Sequence, residues 1–139
     1  MDRIPTEREL LEAIVRRYRW DFYAFDKGKT QRPHRTYIPI DVDAVGSEFG
    51  VDGDVVFSQL WHFMDHKYGW DKPNGTPIPT RIPLFSPDLD GESNCINYAF
   101  AAAILAGLRE DHKRHFATVS IAAVSLLVSI IALIVSLAV

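Results

Sequence analysis

FATVSIAAVSLLVSIIALIVSLAV, residues 116–139, contains no charged side chain. As a helix rising ~1.5 Å per residue it would reach about 36 Å, enough to cross a ~30 Å hydrocarbon core with some tilt. A buried core helix is the competing reading. It fails on size, because the 115 residues before this stretch cannot build a core large enough to enclose it. The expected fold class is therefore α+β. A small soluble domain fills residues 1–108, a charged juxtamembrane collar residues 109–115, and a single C-terminal transmembrane helix residues 116–139.

The flanks of the span give an orientation. The collar carries Arg109, Lys113 and Arg114 among Glu110, Asp111, His112 and His115, and no charged side chain lies beyond the span. Lys and Arg beside a span favour the cytoplasmic side, so these three residues are expected at the membrane surface and the N-terminal domain in the cytoplasm. Residues 1–6 show no apolar core of the signal-peptide type. With no residue after the span, insertion is expected to follow translation, as in a tail-anchored, single-pass protein. The single cysteine, Cys95, excludes an intramolecular disulfide, which agrees with a reducing compartment.

Within the span, Thr118, Ala122, Ser125, Ser129, Ala132 and Ser136 follow one another at steps of four and three. On a helix these six small residues form one stripe, while Leu127, Val128, Ile131 and Ile134 lie between them. Lipid tails are as apolar as leucine, so membrane helices associate where small side chains let backbones approach. The stripe is expected to pack against another membrane-protein helix or a copy of itself, in a left-handed crossing that suits the seven-residue recurrence. The lipid bilayer is the other partner.

All charges precede the span, and they are uneven. Residues 1–35 hold nine Arg and Lys against six Asp and Glu, whereas residues 36–95 hold three against ten. The middle of the soluble domain is thus acidic, which opposes contact with a phosphate backbone and makes nucleic acid an unfavourable partner.

Residues 6–20 read as an amphipathic helix. Thr6 and Glu9 make a capping box, Leu10, Leu11, Ile14, Val15 and Tyr18 share one face, and Arg8, Arg16, Arg17 and Arg19 lie largely on the other. An aromatic stretch, residues 20–25, and a basic loop, residues 26–35, follow. Gly28-Lys29-Thr30 in that loop has the letters that end a phosphate-binding loop, but the earlier glycine and the preceding strand are missing. Residues 36–40 read as a strand confined to a sheet edge by Pro39.

The next segment carries the clearest motif of the soluble part. Residues 41–49 form a short helix capped by Asp41, residues 50–53 a turn, and residues 54–68 a longer helix capped by Asp52 or Asp54. Val42, Val45 and Phe49 face inward from the first helix, and Val56, Phe57, Leu60, Trp61 and Met64 from the second. Gly46 stands where the two must approach closely. Asn74-Gly75 is a turn dipeptide, residues 80–85 a strand, and residues 86–93 a loop leading back into residues 94–97. Residues 98–108, apolar but too short to span, read as the buried central helix of the domain.

Helix, edge strand, helix-turn-helix and hairpin, in that order over residues 6–98, resemble a winged helix domain. The resemblance implies a winged-helix-like cytoplasmic domain, and such domains commonly bind DNA through the second helix of the pair. Here that helix shows Asp54 and Asp65 facing outward with Lys67 as its fixed cation, so protein contact is the expected use. Asp54, His62, Asp65 and His66 form the candidate partner-docking face.

Chemistry is sparsely represented. His62 and His66, four apart on one helix, have the spacing of two metal ligands, but no third ligand is identifiable by spacing and no Glu adjoins the first histidine. Cys95, after Ser93-Asn94, is placed near a helix start where a thiolate would be stabilised. No cofactor and no catalytic constellation are expected. The reading is a non-enzymatic, membrane-anchored protein-interaction module, an accessory or assembly subunit of an integral membrane complex with a cytoplasmic protein partner. The alternative is a membrane-tethered DNA-binding transcriptional regulator using the basic helix face and residues 27–35.

Overall fold

A computed structural model describes residues 3–26, 32–71 and 81–138. The chain forms two compact units, Met1–Leu105 and Ala106–Val139.

In the first unit, helix α1 (Glu7–Asp26) opens on the capping box. The Glu9 N–H donates to Thr6 Oγ1 at 3.3 Å, while the Thr6 N–H donates to Glu9 Oε2 at 2.9 Å, so two otherwise unpaired helix-start amides are satisfied. Leu10, Leu11 and Ile14 are fully buried, as the spacing predicts. The helix runs on through the aromatic stretch to Asp26. There Phe22 stacks on Tyr98 at 4.7 Å, and the Tyr98 hydroxyl donates to the Val15 carbonyl at 3.0 Å.

Strand β1 (Tyr37–Pro39) precedes helix α2 (Val42–Ser47) and helix α3 (Gly53–Ser58). Asp41 caps α2 by accepting from the Ala44 N–H at 3.0 Å, and Asp52 caps α3 by accepting from the Asp54 N–H at 2.8 Å. A Cβ on Gly46 would stand 2.6 Å from the Val51 carbonyl oxygen, so the close approach expected there is real. Val45, Val56, Leu60 and Met64 are buried between the elements.

The longer helix expected over residues 54–68 is not uniform. After α3 comes a π-helical segment, Gln59–Met64, and then helix α4 (Asp65–Tyr68). The Asp65 N–H bonds to the Leu60 carbonyl, five residues back. A π turn advances less around the axis per residue than the ~100° of an α-helix, so side chains after it are set back toward the inner face.

A short ribbon pairs β2 (Trp70–Asp71) with β3 (Arg81–Ile82), antiparallel. The main sheet has the order β1-β5-β4, with β4 (Phe85–Leu89) and β5 (Glu92–Asn97) joined as a hairpin. This corrects the reading of residues 86–93 as a loop. Asp90 and Gly91 both have positive φ, 51° and 86°, as a two-residue hairpin turn requires. Pro39 and Pro87 lie on the two edge strands, where a missing N–H is tolerated, and central β5 contains no proline. The expected turn at Asn74-Gly75 and the expected strand residue Thr80 lie outside the described residues.

Helix α5 (Tyr98–Ala138) gives its first residues to this unit. Tyr98, Ala101 and Leu105 are buried there, but Ala99 and Ala103 are exposed, so one face of the segment is buried rather than the whole helix. In the second unit, residues 106–138 are α-helical, and α5 is long and apolar enough to cross a membrane.

Candidate functional site

Two candidate surfaces stand out, one in each unit. The first is the surface of α3, the π segment and α4. Asp54, His62 and His66 are exposed on it, in agreement with the sequence. Asp65 is not. It is 6% exposed, and its Oδ1 accepts from the backbone N–H groups of Leu84, at 2.7 Å, and Phe85, at 3.1 Å. Its Oδ2 stands 3.3 Å from the Arg81 guanidinium, which also donates to the Asp65 carbonyl oxygen. The π turn is the physical reason, because it carries Asp65 from the polar face to the sheet. Gly69 leaves the space for this contact, since a Cβ there would press on the Arg81 guanidinium and stand 2.6 Å from the Asp65 carbonyl oxygen. Asp65 is therefore an internal latch and leaves the candidate docking face.

Lys67, the fixed cation of this helix, is paired with Glu7. Its Nζ lies 2.9 Å and 3.1 Å from the two carboxylate oxygens of Glu7, and the Tyr68 hydroxyl donates to Glu7 Oε2 at 2.6 Å. Partial burial pushes the Glu7 carboxyl up, but the Tyr68 and Lys67 bonds outweigh it and hold the group below the usual carboxylate range.

Next to this cluster is a groove of about 570 Å³, a volume within the range of binding clefts. Ile4, Val55, Phe63 and Met64 give it an apolar lining. Glu7 and Asp54 supply its charged groups, both acidic. Gln59, the first residue of the π segment, also lines it. Its Nε2 donates to the Pro5 carbonyl at 2.8 Å, and its buried Oε1 has no hydrogen-bond partner among the described residues. Nothing in the sequence marks this groove, because its walls come from the α1 entry, α3 and a π turn without a periodic signature.

The basic face of α1 is partly occupied within the unit. Arg16 and Arg17 both pair with Glu48, at 2.6 Å and 2.9 Å, and Arg19 lies over the rings of Trp20 and Tyr23 at 5.8 Å and 5.9 Å. Gly28-Lys29-Thr30 lies outside the described residues. His62 stands edge-on to Phe57 at 6.5 Å, and no group of three or more His, Cys, Asp or Glu with metal-binding geometry occurs among the described residues.

Cys95 is a buried residue of β5 rather than of a helix start. Burial, followed by the negative charges of Glu92 and Asp88, pushes its thiol up, so the thiolate is disfavoured.

The second surface belongs to the unit Ala106–Val139. Thr118, Ala122, Ser125, Ser129, Ala132 and Ser136 fall along one stripe of α5. Three of the hydroxyls bond back to the helix's own carbonyls: Thr118 to Arg114, Ser125 to Ile121 and Ser129 to Ser125, each at 2.9 Å. These three hydroxyls are thus satisfied within the helix. In the collar, Arg109, Lys113 and Arg114 are exposed, and Arg114 Nε lies 3.2 Å from Glu110 Oε1 one turn back.

Compared with known protein families, curated proteins and solved structures, the chain matches none.

Proposed function

We propose that the chain is a single-pass, membrane-anchored interaction module whose α+β domain is winged-helix-like and cytoplasmic. One observation carries the reading: an acidic domain of about a hundred residues precedes a helix that is uncharged and exposed from Phe116 onward. Exposed apolar surface on that scale fits a bilayer far better than water. The Lys and Arg of the collar favour a cytoplasmic domain. The winged-helix-like reading is supported by element order and by β1 lying against β5 of the hairpin.

In this role the domain docks on a cytoplasmic protein and the small-residue stripe packs on a neighbouring membrane helix. The chain is then an accessory or assembly subunit of an integral membrane complex. The DNA-binding alternative draws on the α1 arginines, of which Arg16 and Arg17 already hold Glu48. Purification of the full chain from its native membrane in mild detergent, followed by mass spectrometry, tests the proposal. Stoichiometric recovery of an integral membrane protein is the expected result. Recovery of the chain alone, under conditions that preserve other membrane complexes, overturns it.

A further inference from the structure

We propose that the groove between the start of α1 and the π segment receives a basic, apolar segment of a partner protein: an apolar side chain seated on Val55 and Met64, with a Lys or Arg beside it. This inference rests on the interaction-module reading and names the chemistry of its partner.

Three observations converge on it. Ile4 and Phe63 border the groove while 64% and 69% exposed, so apolar surface flanks an apolar floor, the arrangement that accepts an anchoring side chain. Of the two acidic residues in the lining, Glu7 is neutralised by Lys67, whereas the exposed Asp54 carboxylate has no ion pair among the described residues, so the charge left at the groove is negative and favours an incoming cation beside Asp54. Gln59 lines the groove, and its buried Oε1 has no hydrogen-bond partner among the described residues, so this wall holds an acceptor that a small shift of the side chain would offer to an incoming N–H group. The π turn that starts at Gln59 belongs to the same wall, and such turns are frequent at functional sites.

The test uses the full chain in a neutral detergent, with its Met, Ile and Val methyl groups isotopically labelled. One probe is a short acetylated, amidated peptide of Leu and Lys. The other is the same peptide with Glu in place of Lys. The Leu-Lys peptide should give saturable shifts at the Met64 and Ile4 methyls and leave Ile40 and Val45, outside the groove, unmoved. The Leu-Glu peptide should bind about tenfold more weakly, a difference of ~1.4 kcal/mol, and Asp54→Asn should narrow that preference. Absence of saturable shifts at Met64 and Ile4 overturns the proposal, and so does equal binding of the two peptides.

Val55→Trp, which fills the groove, separates this inference from the function on which it rests. Unchanged recovery of the native partner by a folded Val55→Trp chain overturns the groove and leaves the module reading intact. Recovery of no partner by the parent chain, with the Leu-Lys peptide still seated at Met64, overturns the membrane-complex reading and supports the groove.

Discussion

The Asp65 carboxylate accepts the backbone N–H of Leu84 at 2.7 Å, across a separation of nineteen residues, and so ties the end of the α3–α4 helix to the start of the hairpin. Pro83 interrupts the chain between β3 and β4, and the two amides that follow it are both satisfied by this one side chain. Removing the acceptor strands two buried donors. Asp65→Ala should cost about 2–4 kcal/mol, and Asp65→Asn, which keeps one acceptor but loses the charge facing Arg81, about 1–2 kcal/mol. Urea unfolding of the full chain in neutral detergent, followed by tryptophan fluorescence, measures both. A midpoint unchanged in Asp65→Ala would show that the latch carries no weight.

Gly46 and Gly91 separate two reasons for glycine. A Cβ on Gly46 would stand 2.6 Å from the Val51 carbonyl, so Gly46→Ala must push α2 and α3 apart, at roughly 1–3 kcal/mol. Gly91 has φ +86° and nothing within 4 Å of the added atom, so Gly91→Ala is charged only for backbone conformation, about 1–2 kcal/mol. The same unfolding measurement distinguishes them when combined with Gly91→Asn, because Asn tolerates positive φ and should recover part of the Gly91 loss. The corresponding Gly46→Asn should be worse than Gly46→Ala.

What could be read from the sequence was local. Thr6 and Glu9, the cap Asp41, the inner residues Leu10, Leu11 and Ile14, and the close approach at Gly46 depend on neighbours within a few positions, and each is found where its spacing places it, while of the two candidate caps Asp52 and Asp54 it is Asp52 that caps α3. A uniform 3.6-residue period across Gln59–Met64 puts Asp65 on the polar face, whereas the one wider turn there changes the face of everything after it. Ser86-Pro87-Asp88 carries turn residues and so reads as a loop, although Pro87 is compatible with the outer edge of β4, where the structure has it. The groove combines residues up to sixty positions apart, and no periodicity encodes that.

The capping box gives a pH prediction. The Glu9 carboxyl, bonded by the Thr6 N–H, then by the Thr6 hydroxyl and by Arg3, is held down to about 2 from an ordinary 4.5. A carboxyl depressed in the folded state contributes stability that is complete above about pH 4.5 and is lost as the pH falls toward 2. Carboxyl-carbon NMR should therefore find the Glu9 midpoint near 2, and Thr6→Ala should move it up toward 4.5. A midpoint in the parent at the ordinary value would mean that the cap does not persist in solution.

The proposed orientation has a direct readout. Arg109, Lys113 and Arg114 stand immediately before the uncharged span, and Lys and Arg beside a span favour retention of that flank on the cytoplasmic side. In sealed vesicles with the cytoplasmic face inside, added protease should leave residues 1–115 intact until the membrane is lysed. Digestion of the domain before lysis would reverse the topology.

The stripe on α5 is testable by size alone. Ser129 Oγ donates to the Ser125 carbonyl at 2.9 Å, so the hydroxyl makes no demand on a neighbour, and what a partner helix gains from this position is close approach. Ser129→Leu places bulk in that path and should weaken association by ~1–2 kcal/mol, five- to thirtyfold in the equilibrium constant. Leu127→Ala is the control, because it removes bulk from a surface expected to face lipid. Both chains keep the apolar length needed for insertion, so a difference in association cannot be a difference in targeting. Co-purification with the native complex and cross-linking between copies read the two kinds of partner separately. Loss in Ser129→Leu with retention in Leu127→Ala identifies the stripe as the packing face, whereas the opposite pattern assigns the contact to the bulky side of the helix.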